Sequence, residues 1–419
     1  MNQTTNTHLA SRQPKDTLTT YSHSRDITTQ RHHGSMLRPA MLFSLLVMLT
    51  GQTMHAQSVE DRLTALEQKL AEQNESKSYM PQFHGILRGK YEYQPDLDAS
   101  RFEVRNARLS AEGKLPLRSS YKLEVDLCDE SAIKMKDAWV RIEVPLGKTP
   151  SPSEEAKHGL RITLGQQRMP FSIDAHRNPS AQYFANRSFI AKQVGDMRDV
   201  GAAVGYDPHL ACTNGGLLDM HLDAGVYNGS NLDNQKTAWF SSPAYSARAQ
   251  FIYSSPAMGR VGIIPSVQHQ LIAGREASYT SMDFGAYYEF KALHLEAEFL
   301  RKFYAHNAFG NCNAINAMAI YRQQLKADKG FLQRISYLLR YDYMDNHSDG
   351  KKGFDSNTHT LLQSDAQRHR LTAGLTFTVR NKFFPTDIRL NYEKYWYPHA
   401  GTPKESEQDK LVAELMIRF

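Results

Sequence analysis

The sequence predicts an all-β chain: a 16-stranded antiparallel transmembrane β-barrel preceded by a short N-terminal coiled-coil helix. Three observations carry that prediction. From Phe83 onward the chain runs in segments of roughly ten residues in which apolar and polar side chains alternate, the period of a strand with one apolar face. The gaps between these segments alternate between long and short. The last alternating segment ends on an aromatic residue, Phe419.

Composition narrows the classes before any element is placed. The 419 residues carry 50 Lys+Arg against 44 Asp+Glu, for a formal net charge of +6, and the mean hydropathy is -0.55. A chain this polar is no bundle of spanning helices, each of which needs about 20 apolar residues. The 21 Tyr and 19 Phe argue against disorder. The charge balance is too mild to imply a nucleic-acid partner. What remains is a soluble multidomain protein, or a barrel whose wall is apolar on its outer side only.

Residues 1–35 are rich in Thr, Ser, His and Gln without an apolar period, and read as a disordered or misassigned extension. Residues 36–56 have the three parts of a signal peptide. Arg38 supplies a basic flank, Ala40 to Leu49 an apolar run too short to span a bilayer as a helix, and a more polar stretch ends at Ala56. Its removal with the extension takes away five basic residues and two acidic ones, which lowers the +6 by three. Three cysteines remain, Cys128, Cys212 and Cys312; their spacing fits no zinc motif and their odd number excludes full pairing. In segment 57–78, Val59, Leu63, Leu66 and Leu70 share one helical face and form a short coiled-coil seam. So short a coil is marginal alone, and makes sense where several copies are held by a larger body. A lone amphipathic helix is the other reading.

Residues 79–419 form the expected barrel. The strand candidates are 83–93, 101–113, 120–128, 132–145, 159–168, 199–207, 218–227, 244–254, 259–268, 281–290, 293–303, 314–323, 333–343, 369–379, 386–396 and 409–419. Sixteen is an even number, as closed barrels of the bacterial outer membrane require, and this sets the expected location and lipid partner. Gaps after odd strands (94–100, 129–131, 169–198, 228–243, 269–280, 304–313, 344–366, 397–408) are mostly longer than those after even strands. That is the pattern of long external loops and short periplasmic turns, with 146–158 as an exception. Tyr91, Tyr93, Tyr287, Tyr288, Tyr341, Tyr343, Tyr395, Trp396 and Tyr397 lie near strand ends and suit interfacial girdles. The terminal strand ending in Phe419 resembles the signal by which such barrels meet their assembly machinery.

Several ordered stretches resemble the phosphate-selective porins O and P. They are FHGILRGKYEY (83–93), RFEVRNARLSAEGKL (101–115), KDAWVRI (136–142), LRITLGQQRMPFSID (160–174), NRS (186–188) with MRDVGAAVGY (197–206), and VYNGSN (226–231). They cover roughly the first half of the barrel. The resemblance implies a trimeric outer-membrane channel with a basic interior and no cofactor. Arg168 stands where the family often has Lys, and Asn186 where it often has Glu.

The widest external gap, 169–198, is the third. By analogy with general porins it folds into the lumen, placing Arg177, Arg187, Lys192 and Arg198 at the constriction against Asp174, Asp196 and Asp199. On the wall, Arg88, Lys90, Lys122, Arg161 and Arg248 occupy the polar phase of their strands, and Arg168 closes the fifth. Arg105 and Arg108 have opposite parity and share the lumen only through a bulge; the run Leu109, Ala111, Gly113 favours Arg108 inward. Arg and Lys rings select anions, and the planar Arg fork fits two oxygens of a phosphate or carboxylate. The expected function is passive diffusion of small hydrophilic solutes, biased toward anions. Three alternatives stay open. A sugar or peptide pore would use Tyr183, Phe184 and Phe189 as an aromatic slide. A secreted β-rich binding module would leave Phe419 and the loop pattern as accidents. A barrel enzyme lacks a motif, since His347, Ser348 and Asp349 are merely adjacent in sequence.

Overall fold

The computed structural model describes residues 69, 79–129, 132–146, 159–195, 197–212, 216–229, 242–272, 276–326, 330–381, 383–399 and 404–419. Lys69–Phe419 forms one compact unit. The expected extension and signal segment fall outside the described residues, as do the coiled coil apart from Lys69 and the exceptional gap from 147 to 158.

Sixteen strands make the wall: β1 (Gln82–Gln94), β2 (Ala99–Leu115), β3 (Ser119–Asp129), β4 (Ala132–Pro145), β5 (Gly159–Arg168), β6 (Arg198–Tyr206), β7 (Leu217–Tyr227), β8 (Ala244–Ser255), β9 (Gly259–Ile272), β10 (Ala277–Phe290), β11 (Leu293–Tyr304), β12 (Cys312–Gln324), β13 (Leu332–Met344), β14 (Arg368–Val379), β15 (Thr386–Trp396) and β16 (Lys410–Arg418). Each pairs antiparallel with the next. β1 pairs with β16 from Ile86 opposite Arg418 to Tyr93 opposite Leu411, which closes the barrel and leaves no free edge. A three-residue strand, His209–Ala211, adds to the start of β7, and a small hairpin, Phe354–Asp355 with Thr360–Leu361, sits in the loop after β13.

The polarity of this wall is inverted relative to a soluble protein. Phe102 on the outer face is 86% exposed, whereas Arg88 on the inner face is 1% exposed. Strand after strand turns aliphatic side chains outward and charged ones inward, the arrangement lipid demands. The same parity corrects the girdle assignment. Tyr287 pairs across from Glu296 on the inner face, and Tyr395 is buried there and donates to Glu393 at 2.8 Å. Tyr397 donates to the Glu407 carbonyl within the loop after β15.

Among the described residues the register shifts at four places, at Arg88/Gly89, Glu124/Val125, Asp126/Asp129 and Leu332/Arg334, and two of these shifts add a cation to the lumen. Arg88 pairs with Asn106 but Gly89 with Val104, so Arg105 is an extra residue of β2. Arg105 reaches Glu103 at 3.8 Å on the lumen side, so Arg105 and Arg108 face inward together. Glu124 pairs with Asp137 but Val125 with Met135, so Lys136 is an extra residue of β4, buried beside Asp137. In β5, Gly165 adopts φ +123°, and a Cβ there would lie 2.3 Å from the Ala138 carbonyl. At the closure, Phe419 and Gly85 exchange backbone bonds of 3.0 and 2.6 Å, and the Phe419 ring covers the space where a Cβ of residue 85 would project.

Candidate pore constriction

The loop between β5 and β6 folds into the lumen, and both of its limbs are tied to the wall. The first limb docks on β8–β11. Ser172, at φ 61°, donates its N–H to Ser266 Oγ (2.9 Å) and its hydroxyl to Glu298 (2.7 Å), while its carbonyl accepts from Arg248 Nε (2.8 Å). The N–H groups of Ile173 and Asp174 also donate to Glu298. Arg177 bridges Asp174 (2.7 Å) and Glu296 (2.5 Å) and lies 4.7 Å over the Tyr183 ring.

The second limb lies under a ladder of wall arginines that donate to its backbone carbonyls. Arg418 holds Ser180 (2.9 Å), Arg389 holds Gln182 (2.5 Å), Arg88 holds Ala185 (2.7 Å), Arg340 holds Asn186 (3.0 Å) and Arg370 holds Arg187 (2.6 Å). Wall carboxylates orient these donors. Glu414 takes Arg88 and Arg389 (2.6 and 2.8 Å), and Asp342 takes Arg340 and Arg370 (2.9 and 2.8 Å). Phe184 enters an apolar patch of Met318, Ile320 and Leu338. Phe189 is held between Arg368 and Arg370, each 4.6 Å from its ring. Asp174 joins the limbs, accepting from Ser188 N–H (3.1 Å) and Oγ (2.6 Å). Burial alone would raise its pKa, but Arg177, Arg340 and the Ser188 bond hold it at about 2.

The expected pore residues divide into those that meet carboxylates and those that hold the loop. On the inner wall, Lys90 meets Glu92 (2.9 Å) and Glu103 (3.0 Å), and Arg108 meets Asp126 (2.8 Å) and Glu124 (3.0 Å). Lys122 meets Glu112 (2.9 Å), Arg161 meets Asp207 (2.5 Å) and Asp223 (3.0 Å), and Arg198 meets Asp137 (2.9 Å). Arg88, Arg168 and Arg248 hold the loop, Arg168 through the carbonyls of His176 and Arg177 (2.7 and 3.1 Å). Arg187 is half-exposed at the loop edge. Lys192 reaches outward to Glu407 (2.9 Å). Asp196 lies outside the described residues.

Arg141 is a lumen residue that the sequence reading passed over. Its Nε donates to Thr163 Oγ1 (3.0 Å) and its guanidinium lies 4.4 Å over the Trp139 ring. It has no carboxylate within 4 Å among the described residues. On the neighbouring strands Thr163 pairs with Ala203, and the inner faces of Gly205 and Gly225 are covered by Arg161, Asp223 and Tyr227. The signal was available in KDAWVRI, where Asp137, Trp139 and Arg141 share one parity. The other arginines of the ladder were visible as polar-phase residues, but not as donors to the loop. Among the described residues no group of His, Cys, Asp or Glu could hold a metal ion.

Comparison with known proteins agrees with this geometry. Residues 88–253 match the family model of the phosphate-selective porins O and P. No curated protein sequence matches the chain. Among solved structures, an anion-selective porin from Comamonas acidovorans is 14% identical, with a TM-score of 0.52 over 81% of this chain and 98% of its own. OprB of Pseudomonas putida is 12% identical, with a TM-score of 0.53 over 84% and 96%. OmpF of Salmonella typhi is 12% identical, with a TM-score of 0.50 over 82% and 99%. At such identity these likenesses establish the fold. The chain is therefore a 16-stranded β-barrel of the porin fold, whose residues 88–253 are similar to the phosphate-selective porins O and P.

Proposed function

We propose that the chain is a passive diffusion channel for small hydrophilic solutes with a bias toward anions of the phosphate or polyphosphate type. One observation carries the bias. Most lumen cations are neutralised by a carboxylate or committed to a carbonyl, but among the described residues Arg141 has no carboxylate within 4 Å, and its only side-chain bond is from Nε to Thr163. A guanidinium fork fixed on one side by Trp139 and Thr163 meets a passing oxyanion at little further cost in side-chain ordering. The Comamonas protein of similar fold is itself an anion-selective porin. The candidate anion-lining set is Arg88, Lys90, Arg108, Lys122, Arg161, Arg168, Arg177, Arg187, Lys192, Arg198 and Arg248, to which Arg141 is added. A sugar or peptide slide is disfavoured because Phe184 and Phe189 are buried against the wall, which leaves Tyr183 alone half-buried among the three aromatics.

In this reading residues 36–56 are a cleaved signal, the 57–78 coil joins three copies, and Phe419 is read by the barrel-assembly machinery. The test is the reversal potential of single channels under a salt gradient. An anion-positive reversal that weakens in Arg141→Gln supports the reading. A cation-positive reversal would leave the barrel in place and discard the anion bias.

A further inference from the structure

Lys302 points inward from the extracellular end of β11 and is 1% exposed. Its Nζ donates to the Ser348 carbonyl (2.9 Å) and lies 3.1 Å from His347 Nε2, 3.6 Å over the Tyr279 ring and 4.7 Å over the Tyr304 ring. Among the described residues no carboxylate lies within 4 Å of it. An ammonium has donors only, so the contact requires His347 Nε2 to carry a lone pair. The imidazole proton is then on Nδ1, which faces Asp365 Oδ2 (3.4 Å). Lys302, His347 and Asp365 thus form a directed chain that exists only while His347 is neutral. Protonation removes the acceptor and sets two cations 3.1 Å apart in a buried site.

His347 belongs to loop 345–367, and the same point fastens the loop to the wall. Tyr304 Oη donates to the Ser348 carbonyl (2.7 Å) and accepts from the Ser348 N–H (2.9 Å). Leu361 N–H donates to the Ala308 carbonyl (2.7 Å). Leu361 and Phe354 pack into the apolar cluster that also holds Phe189, Ile190 and Val194 of the constriction loop. We propose that Lys302 and His347 form an acid-released latch that holds loop 345–367 on the barrel mouth and thereby braces the constriction loop beneath it.

The groups that face His347 are Lys302 and Tyr304 of β11, Tyr279 of β10, Cys312 of β12, and Asp349 and Asp365 of its own loop. Arg368 and Lys404 pair with Asp365, and Glu407 pairs with Arg368. Burial, reinforced by Lys302, pushes His347 down to about 4. Burial alone would raise the loop carboxylates, yet Asp365 is held far below its usual range by His347, Arg368 and Lys404, and Asp349 below it by Ser364 and the Lys351 N–H. Across pH 7 to 4, His347 is therefore the loop group of this cluster whose charge changes. The neutral imidazole is favoured in the fold, so the contribution of His347 to the latch is lost as pH falls from the ordinary histidine value toward 4.

Amide hydrogen exchange of the full chain in detergent, corrected for the intrinsic pH dependence, tests the latch without reference to what the channel conducts. Exchange in 346–365 is expected to quicken by about tenfold or more between pH 6.5 and 4.5 while the strands stay protected. His347→Gln is expected to flatten that rise, and Lys302→Met to move its midpoint to higher pH. Gel mobility of the unheated barrel verifies folding of both variants. A flat wild-type profile, a His347→Gln variant with the wild-type rise, or a Lys302→Met variant with an unmoved midpoint would each overturn the proposal.

Discussion

Replacing Arg340 and Arg370 by Met removes two of the five guanidinium donors that hold residues 180–187 across the lumen. The experiment is best done in an Asp342→Asn background, because a buried carboxylate stripped of both partners would add about 3–5 kcal/mol of unrelated penalty. Ordering the eight backbone residues of this segment costs about 8–16 kcal/mol. Five hydrogen bonds from charged donors supply about 8–15 kcal/mol. The two sums nearly cancel, so the margin comes from burying Phe184 and Phe189, roughly 1.5–3 kcal/mol each. Loss of two donors withdraws about 3–6 kcal/mol, which brings the docked and undocked segments close to balance. Exchange protection of 182–189 should then fall about a hundredfold or more, while the strands keep theirs. Single-channel conductance should rise as the loop vacates the lumen. Unchanged exchange and unchanged conductance in a correctly folded variant would show that the ladder is not what holds the loop.

Three further outcomes are expected. Glu298→Ala strips the acceptor shared by Ser172, Ile173 and Asp174 and leaves their donors buried, so the turn at 172–174 should lose about 2–4 kcal/mol, read as raised protease sensitivity of the loop in an intact barrel. The folded Asp174 value of about 2 lies below its ordinary 3.8, so its contribution of about 2 kcal/mol is complete above 3.8 and drains as pH falls toward 2; exchange of 174–188 compared at pH 5 and pH 2.5 measures it. Gly85→Val displaces the Phe419 ring, which can swing outward, so the folded barrel should melt within about 1 kcal/mol of wild type while its yield in the outer membrane of cells drops.

The barrel was legible because its two solvents differ. Lipid outside and water inside impose the two-residue period that the candidate strands followed, and the observed strands begin and end within a few residues of them. The main difference lies at β9 and β10, which run on to Ile272 and from Ala277, because Gln268, Gln270, Tyr279 and Ser281 continue the inner face beyond the apolar run. The inward parity of Arg88, Lys90, Arg108, Lys122, Arg161 and Arg248 was equally legible. What those side chains touch was not, because contact depends on register between strands far apart in sequence: Arg88 meets Glu414 across the closure, 326 residues away. Phe184 and Phe189 read as a solute slide because a sequence shows that an aromatic lies in a loop, and not which side of the loop turns to the wall.

A strand bulge is also a record of insertion. Arg105 and Lys136 have no residue opposite them, so deleting Arg105 would restore an unbroken β1–β2 ladder and deleting Lys136 would remove one of the two shifts between β3 and β4, each keeping the lipid-facing side chains in phase. Substitution on the inner face can only exchange one side chain for another, since alternate positions belong to the bilayer. A single added codon escapes that limit, because it places a further cation in the lumen and costs the outer surface nothing. The charge carried by a barrel of fixed strand number can thus change by insertion and deletion, and alignments of such barrels should show their gaps within strands β2 and β4 as well as in the loops.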